Sequence, residues 1–194
     1  MTAGAGATIL VFGISGVGKT RLIQSLSSNT SMALRWRASE IIAEARGTTD
    51  TDGLRVLPLF ELRQSQEMLL AGFKARRERF PNELVLLDAH SVIDTDNEYF
   101  DVPVEVVAQL DPVGMIHLTD SVDQIEERRR TDRERLRPYR SLARLVEYQR
   151  RSIKVCEHYR DALKIPLMLV AFSDEVTFAT AIESILAIKL RTSG

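Results

Sequence analysis

The chain has 194 residues, of which 44% are hydrophobic and 27% are charged, and its formal net charge is −1 at pH 7. This length suits one globular α/β domain, and the near-neutral charge excludes a general electrostatic attraction to nucleic acid. Because Cys156 is the only cysteine, an internal disulfide and a cysteine-based metal site are excluded, and a reducing compartment is expected. The N-terminus lacks the regions of a signal peptide, and no segment approaches the ~18 apolar residues of a membrane span. We therefore expect a cytoplasmic protein without a membrane or nucleic-acid partner.

Apolar runs alternate with helical patterns along the whole chain. The predicted strands cover 7–12, 32–38, 83–88, 113–120 and 165–172. The predicted helices cover 18–27, 39–46, 59–80, 121–136, 141–163 and 175–190, with Ser39 and Ser121 as candidate N-caps. Five apolar strands separated by helices predict a parallel sheet that is covered on both faces. With right-handed crossovers, this is a doubly wound three-layer α/β/α sandwich, formed by a single domain over 1–194.

A glycine-rich loop follows the first predicted strand. Residues 13–20 read GISGVGKT and match G-x-x-x-x-G-K-S/T between a strand and a helix, which is the context that this motif requires. Glycines let backbone N–H groups converge on phosphate oxygens, Lys19 can bridge β- and γ-phosphates, and the Thr20 hydroxyl can bind Mg²⁺. In the free loop we expect Lys19 to face solvent. The alternative is a strand-to-helix turn that merely favours glycine. We assign nucleotide binding to Gly13, Ser15, Gly16, Val17, Gly18, Lys19, Thr20 and Arg21.

An acidic residue closes the third predicted strand. Asp88 ends the run LVLLD, and ligands of open α/β sheets gather at the carboxyl ends of strands. A carboxylate at that point can hold Mg²⁺ beside a phosphate-binding loop. The alternative is a turn or helix-capping aspartate. His90 follows two residues later, where it can orient a phosphate or Asp88, or serve as a structural polar residue.

Arginines are concentrated late in the chain. Within 128–140 the arginines are Arg128, Arg129, Arg130, Arg133, Arg135, Arg137 and Arg140. A solvated helix face accounts for many such runs, particularly where acidic residues are interleaved. In phosphoryl-transfer enzymes an arginine-rich segment closes over the phosphates, neutralises their charge and excludes water. A nucleic-acid patch would require interleaved aromatic residues, and only Tyr139 lies nearby.

With these elements the sequence resembles the archaeal-type adenylate kinases, within the P-loop nucleoside monophosphate kinases. The resemblance spans nearly the whole chain and rests on GVGKT (16–20), LLDAHSVIDT (86–95), IEERRRTDRERLRP (125–138), and EYQ (147–149) followed by Tyr159. The third stretch keeps the spacing R-R-x-x-D-x-x-R-x-R. The loop alone is typical of the whole superfamily, whereas the second and third stretches together are more specific.

The resemblance implies transfer of the γ-phosphoryl group of ATP to AMP or another nucleoside monophosphate, with ATP and Mg²⁺ as cofactors. It implies that 39–80 is a short acceptor-binding insertion and 128–140 a short lid, which has no cysteine for zinc. Catalysis is assigned to Lys19, Asp88, Arg129, Arg135 and Arg137, acceptor binding to Ser39, Arg63 and His90, and metal binding to Thr20 and Asp88.

The acceptor side departs from the family pattern. Leu59 and Phe60 stand where the family carries an Arg-Asp pair, and Ala89 stands where it carries threonine. Three hypotheses therefore remain: a nucleoside monophosphate kinase, a P-loop kinase of a non-nucleotide hydroxyl with Asp88 as general base, and an ATP-binding switch or NTPase. The expected partners are small-molecule nucleotides, and a homo-oligomer is compatible with the sequence.

Overall fold

The computed structural model describes residues 6–29, 33–51, 53, 57–95, 98–132 and 139–192. Its strands are β1 (Thr8–Phe12), β2 (Leu34–Arg37), β3 (Val85–Asp88), β4 (Val92–Asp94), β5 (Tyr99–Asp101), β6 (Gly114–Thr119) and β7 (Leu167–Ala171). Five of them form a parallel sheet in the order β2-β3-β1-β6-β7, while β4 and β5 pair as a separate antiparallel hairpin. This confirms the predicted five-stranded parallel sheet.

Seven helices are described around this sheet. They are α1 (Lys19–Asn29), α2 (Ala38–Ala45), α3 (Leu59–Arg79), α4 (Val104–Gln109), α5 (Val122–Thr131), α6 (Leu142–Leu163) and α7 (Glu175–Thr192). Ser121 caps α5 as expected, because its side chain accepts a hydrogen bond from the backbone N–H of Gln124. None of the described helices combines the length and the apolar character that crossing a membrane requires.

The central strand β1 explains the three layers. All five of its residues are buried, and successive side chains point to opposite faces of the sheet. Ile9 and Val11 join a core that includes residues of α1 and α7, whereas Leu10 and Phe12 join a core with α2, α3 and α4. A strand buried on both faces favours apolar side chains at successive positions, which is why ILVF after Thr8 reads as a continuous apolar run.

Three local predictions are wrong or incomplete. Ser39 does not cap α2, because that helix already begins at Ala38 and its N-cap, Arg37, makes no side-chain capping bond. Helix α5 ends at Thr131 with Asp132 in an extended conformation, so it does not continue unbroken to 136; residues 133–138 lie outside the described part of the chain. The hairpin β4–β5 and helix α4 were not predicted, since strands of only three residues carry almost no periodicity.

The parallel register brings the candidate functional residues to one edge of the sheet. Asp88 lies beside Val11 across β3 and β1, so the glycine-rich loop and the acidic strand end emerge together. The segment after β6 begins with Asp120, and the segment after β7 begins with Phe172, at the same carboxyl edge. Ligands of doubly wound sheets bind at this edge.

Candidate active site

The loop between β1 and α1 has the backbone conformation that its glycines predict. Gly13, Gly16 and Gly18 have φ values of 145°, 94° and 105°, which side-chain-bearing residues rarely adopt. Gly18 also faces the ring of Phe172: a Cβ built at Gly18 would lie 2.2 Å from Phe172 Cε2. The loop therefore needs glycine at position 18 for its conformation and for the close approach of an aromatic ring.

Lys19 is held inside the loop that it belongs to. Its Nζ donates a hydrogen bond of 2.6 Å to the carbonyl of Gly13 and lies 4.0 Å from Asp88 Oδ1. The residue is only 6% exposed, so our expectation that Lys19 faces solvent in the free loop is wrong. The ammonium group is positioned where a triphosphate in the loop would replace the Gly13 carbonyl as its partner.

Thr20 and Asp88 form a pair suited to Mg²⁺. Thr20 Oγ1 donates a hydrogen bond of 3.0 Å to Asp88 Oδ2, and both residues line the cavity described below. A hydroxyl and a carboxylate are hard oxygen ligands, and Mg²⁺ completes its coordination with water and substrate phosphates. The donor set therefore fits the metal that the loop motif implies. No group of three or more His, Cys, Asp or Glu suited to a metal is found among the described residues.

Two arginines of α5 bind the loop from the opposite side. Arg128 Nε donates a hydrogen bond of 2.9 Å to the carbonyl of Gly16, and Arg129 Nη1 donates one of 3.1 Å to the carbonyl of Ser15. Arg128 is further fixed by Asp120 at 2.5 Å and stacks over the ring of Phe172, with its guanidinium carbon 4.6 Å from the centroid. The first two arginines of the run, Arg128 and Arg129, thus lie against the glycine-rich loop 13–20, called the phosphate loop below, and not on a solvated face.

A cavity of about 550 Å³ joins these groups to a second compartment. On the donor side its lining includes the loop, Arg128, Arg129 and Phe172. On the other side the described lining is largely apolar and comes from α2, α3, α4 and the segment around β4 and β5. Its members there are Ile42, Leu62, Leu69, Ala89, Ile93, Val102, Val106, Val107 and Leu110. The polar groups among these walls include Arg37, Ser39, Ser65, Gln66, His90 and Asp94.

The structure brings together most of the residues assigned from the sequence, but not all of them. Ser39 and His90 line the acceptor side of the cavity, and Arg21 lines its donor side, whereas Val17 is fully buried in the core. Arg63 is exposed on α3 and is not among the lining residues, so its role in acceptor binding stays a prediction. Arg135 and Arg137 lie outside the described residues, and their catalytic role likewise stays a prediction.

Several residues of the site are not distinguished by sequence patterns. Asp94 stands in the sequence as one member of a longer motif, and Gln66 and Phe172 as ordinary parts of a helix and a strand. Asp120 and Gln149 exchange two hydrogen bonds, of 3.3 and 3.0 Å, at the start of α5. A carboxylate directly after a buried strand was the available signal for Asp120, as it was for Asp88.

A buried polar chain runs beneath the phosphate loop. His117 on β6 is fully buried, and its Nε2 lies 2.8 Å from Ser152 Oγ, which in turn lies 2.9 Å from Ser91 Oγ. Burial, and secondarily the nearby charge of Lys19, lowers the pKa of His117 to about 3. Burial also raises the pKa of the neighbouring Cys156 thiol to about 12. His117 is therefore a neutral hydrogen-bonded strand residue, and Cys156 is a buried free thiol.

Sheet order, loop conformation and site geometry together define a P-loop kinase fold. The chain belongs to the family described as AAA domain, whose model matches residues 12–146. No curated protein matches the chain in sequence.

Solved structures resemble it over nearly its full length. A shikimate kinase from Bacteroides thetaiotaomicron matches with a TM-score of 0.52 and 17% identity, covering 96% of this chain and 97% of its own. A sugar kinase from Janibacter sp. HTCC2649 matches with a TM-score of 0.56 and 14% identity, covering 92% and 95%. A gluconokinase from Sinorhizobium meliloti 1021 matches with a TM-score of 0.52 and 16% identity, covering 97% and 98%. At these identities the likeness concerns the fold.

Proposed function

We propose that this protein is an ATP-dependent P-loop kinase that phosphorylates a small-molecule acceptor. The observation that carries the proposal is the second compartment: the cavity continues from the phosphate loop into a walled space between α2, α3 and α4. A nucleotide switch or simple NTPase needs only the donor half and a water molecule. A space lined by several helices beside the transferring phosphate is what a kinase needs to hold its acceptor and limit the access of water.

The residues divide the chemistry among them. The ammonium group of Lys19 would leave the Gly13 carbonyl and bind the β- and γ-phosphates. Thr20 and Asp88 would hold Mg²⁺, which neutralises phosphate charge when it is bound. Arg129 already donates a hydrogen bond to the Ser15 carbonyl, and its positive charge would stabilise the phosphoryl group during transfer. Such preorganised cations lower the barrier because they need not be assembled during the reaction.

One candidate acceptor is a non-nucleotide hydroxyl compound. Solved structures of similar fold include a shikimate kinase, a sugar kinase and a gluconokinase, and these names favour this class over our main sequence-based hypothesis of a nucleotide acceptor. Asp88 lines the cavity between the two compartments. It would act as the general base that accepts the hydroxyl proton, provided that another group or water molecules also hold the metal.

The other candidate is a nucleoside monophosphate, as the family resemblance implies. The supporting observation is the apolar acceptor wall, which suits a planar base better than a polyhydroxylated chain. Gln66 offers a carboxamide within that wall, and Arg37 lines the same cavity with its guanidinium 2.7 Å from Glu40. A phosphate-bearing acceptor would take Arg37 from Glu40 through a charge-assisted contact.

A substrate panel tests the proposal and separates the two acceptor classes. The purified chain, ATP and Mg²⁺ are incubated with nucleoside and deoxynucleoside monophosphates, and separately with sugars, sugar acids and cyclic hydroxy acids. ADP formation and the phosphorus NMR spectrum of the product identify the acceptor, and a Lys19→Met variant controls for contaminating kinases. If no compound raises ADP formation above the ATP-only rate, the NTPase or switch hypothesis replaces the kinase.

A further inference from the structure

Asp94 lies where two arginines meet. It is the last residue of β4, and its Oδ1 accepts hydrogen bonds of 3.2 and 3.1 Å from Nε and Nη2 of Arg140. Its other oxygen, Oδ2, lies 3.8 Å from Nη2 of Arg129. Arg140 also donates a hydrogen bond of 2.9 Å to the backbone carbonyl of Thr95. It therefore holds the end of β4 through the Asp94 side chain and through the Thr95 backbone.

The three charged groups are largely removed from water. The side chains of Asp94, Arg129 and Arg140 are 7%, 6% and 16% exposed. Buried guanidinium groups are costly unless an opposite charge lies close to them. Asp94 therefore supplies charge that helps both arginines to remain buried while no phosphate is bound.

This arrangement connects the hairpin to the phosphate loop. Arg129 reaches from Asp94 on one side to the carbonyl of Ser15 on the other, where its Nη1 donates 3.1 Å. Asp94 and Arg129 both line the cavity between the donor and acceptor compartments. The direction in which Arg129 points is thus set jointly by the loop and by a carboxylate six residues after Asp88.

We propose that Asp94 is a positioning residue for phosphoryl transfer, which acts by orienting Arg129 towards the phosphate loop. This inference rests on the proposed kinase function and assigns a role to a hairpin residue whose link to the loop runs through Arg129. A bound phosphate brings negative charge to the Arg129 side of the cavity, where Asp94 already competes for the same guanidinium. Asp94 therefore helps catalysis through orientation while it opposes nucleotide binding through charge.

These two effects give Asp94→Asn a distinctive signature. The amide keeps the size of the side chain but removes its charge, so Arg129 loses orientation and kcat falls by about tenfold or more. In this variant the two arginines lack the negative charge of Asp94, and the phosphates of ADP supply negative charge in its place. ADP therefore binds as tightly as in the wild type or more tightly. A residue that served only folding would weaken ADP binding and turnover together.

The experiment compares Asp94→Asn with Asp101→Asn. Asp101 lies on β5 of the same hairpin and also pairs with an arginine, Arg151, at 2.7 Å, but it is 41% exposed and is not among the residues that line the cavity. ADP affinity is measured by calorimetry and by the ADP-induced shift in Tm, and kcat is measured with the acceptor that the panel identifies. For Asp94→Asn we expect a lower kcat, with an ADP affinity and an ADP-induced Tm shift at least equal to those of the wild type. For Asp101→Asn we expect wild-type behaviour.

Arg129→Met, alone and combined with Asp94→Asn, tests whether Asp94 acts through Arg129. The double variant should have the kcat of Arg129→Met, because an unoriented arginine and an absent one leave nothing further to lose. Multiplicative losses in the double variant, a parallel loss of ADP affinity and kcat, or an unchanged kcat in Asp94→Asn would each overturn the proposal. If Asp94→Asn does not fold, Asp94→Glu keeps the charge and must retain ADP affinity with a reduced kcat. The ADP measurements need no acceptor, so a loss of ADP affinity in Asp94→Asn would overturn the proposal even if the panel refutes kinase activity.

Discussion

Thr20 Oγ1 donates its hydrogen bond to Asp88 Oδ2 at a distance of 3.0 Å, although the two residues are 68 positions apart in the chain. They meet because β1 and β3 are neighbours in register, so the start of α1 and the end of β3 emerge side by side. In the absence of a cation the hydroxyl proton satisfies the carboxylate. The same two oxygens would hold Mg²⁺, which would neutralise phosphate charge in the loop.

Replacing Thr20 should change the magnesium requirement of the reaction. Thr20→Val keeps the branched shape but removes the hydroxyl, and Thr20→Ser keeps the hydroxyl. We expect Thr20→Val to raise the Mg²⁺ concentration for half-maximal rate by about tenfold or more, since a direct ligand is lost. Thr20→Ser should remain close to the wild type in a magnesium titration of initial rates. Equal behaviour of the two variants would remove Thr20 from the metal site.

Lys19→Met should abolish turnover while it leaves the fold intact. Methionine fills most of the buried volume, and the hydrogen bond to Gly13 and the 4.0 Å contact with Asp88 are lost. We expect a kcat lower by about 100-fold or more, because charge on the phosphates grows towards transfer, with only a modest decrease in Tm. Steady-state rates and thermal unfolding check this. A folded Lys19→Met protein with wild-type rates would contradict the assignment of the phosphate loop.

Gly18→Ala should be among the most damaging small substitutions in the chain. The new methyl group would meet the ring of Phe172 at 2.2 Å, and the backbone has a φ of 105°. We expect a loss of about 1–3 kcal/mol in the free energy of unfolding, measured by urea denaturation. Gly47→Ala is the matched control, because Gly47 also has a positive φ of 69°, but a Cβ built there meets no atom of the described residues within 4 Å beyond its chain neighbours. If both variants lose the same stability, backbone conformation and not the contact with Phe172 decides the requirement.

The donor half of the site could be predicted from the sequence because its residues are local. The glycines, Lys19 and Thr20 lie within one loop, and Asp88 ends a continuous apolar strand, so short-range pattern and strand order were sufficient. The structure confirms the parallel sheet for the same reason, since its strands are buried runs bounded by helices.

Most of the proposed acceptor half could not be predicted, because it is assembled from distant elements with little pattern of their own. Asp94 belongs to a strand of three residues, and its partners come from α5 and from the segment before α6. Gln66 reads as an ordinary helix residue until the side of α3 that faces the cavity is known. Lys19 was expected to face solvent, because sequence alone does not show that the Gly13 carbonyl closes over its ammonium group.

Gln66 should affect the acceptor and not ATP. It is 5% exposed, lines the cavity and donates 3.1 Å from Nε2 to the carbonyl of Leu62. Gln66→Leu removes the carboxamide from a largely apolar wall, and we expect the KM of the acceptor to rise by about tenfold while the KM of ATP is unchanged. Arg63→Ala, made beside it, tests the role that the family resemblance implies. A raised acceptor KM in Arg63→Ala would support that role, whereas a wild-type value would limit acceptor binding to the residues that line the cavity.

His117 should make the stability of the protein depend on pH in the acidic range. Burial lowers the pKa of His117 to about 3 in the folded state, against an ordinary value of 6.5. Between these two pH values the imidazole is protonated in the unfolded chain and neutral in the folded chain. This contribution to stability is complete above pH 6.5 and is lost as the pH falls from 6.5 towards 3, with a slope of up to about 1.4 kcal/mol per pH unit. His117→Gln keeps a hydrogen-bonding group near Ser152 and removes the titration, so its free energy of unfolding should fall less steeply over that pH range. Urea denaturation at a series of pH values measures both curves, and parallel curves for wild type and His117→Gln would show that His117 is already protonated in the folded protein or does not titrate on unfolding.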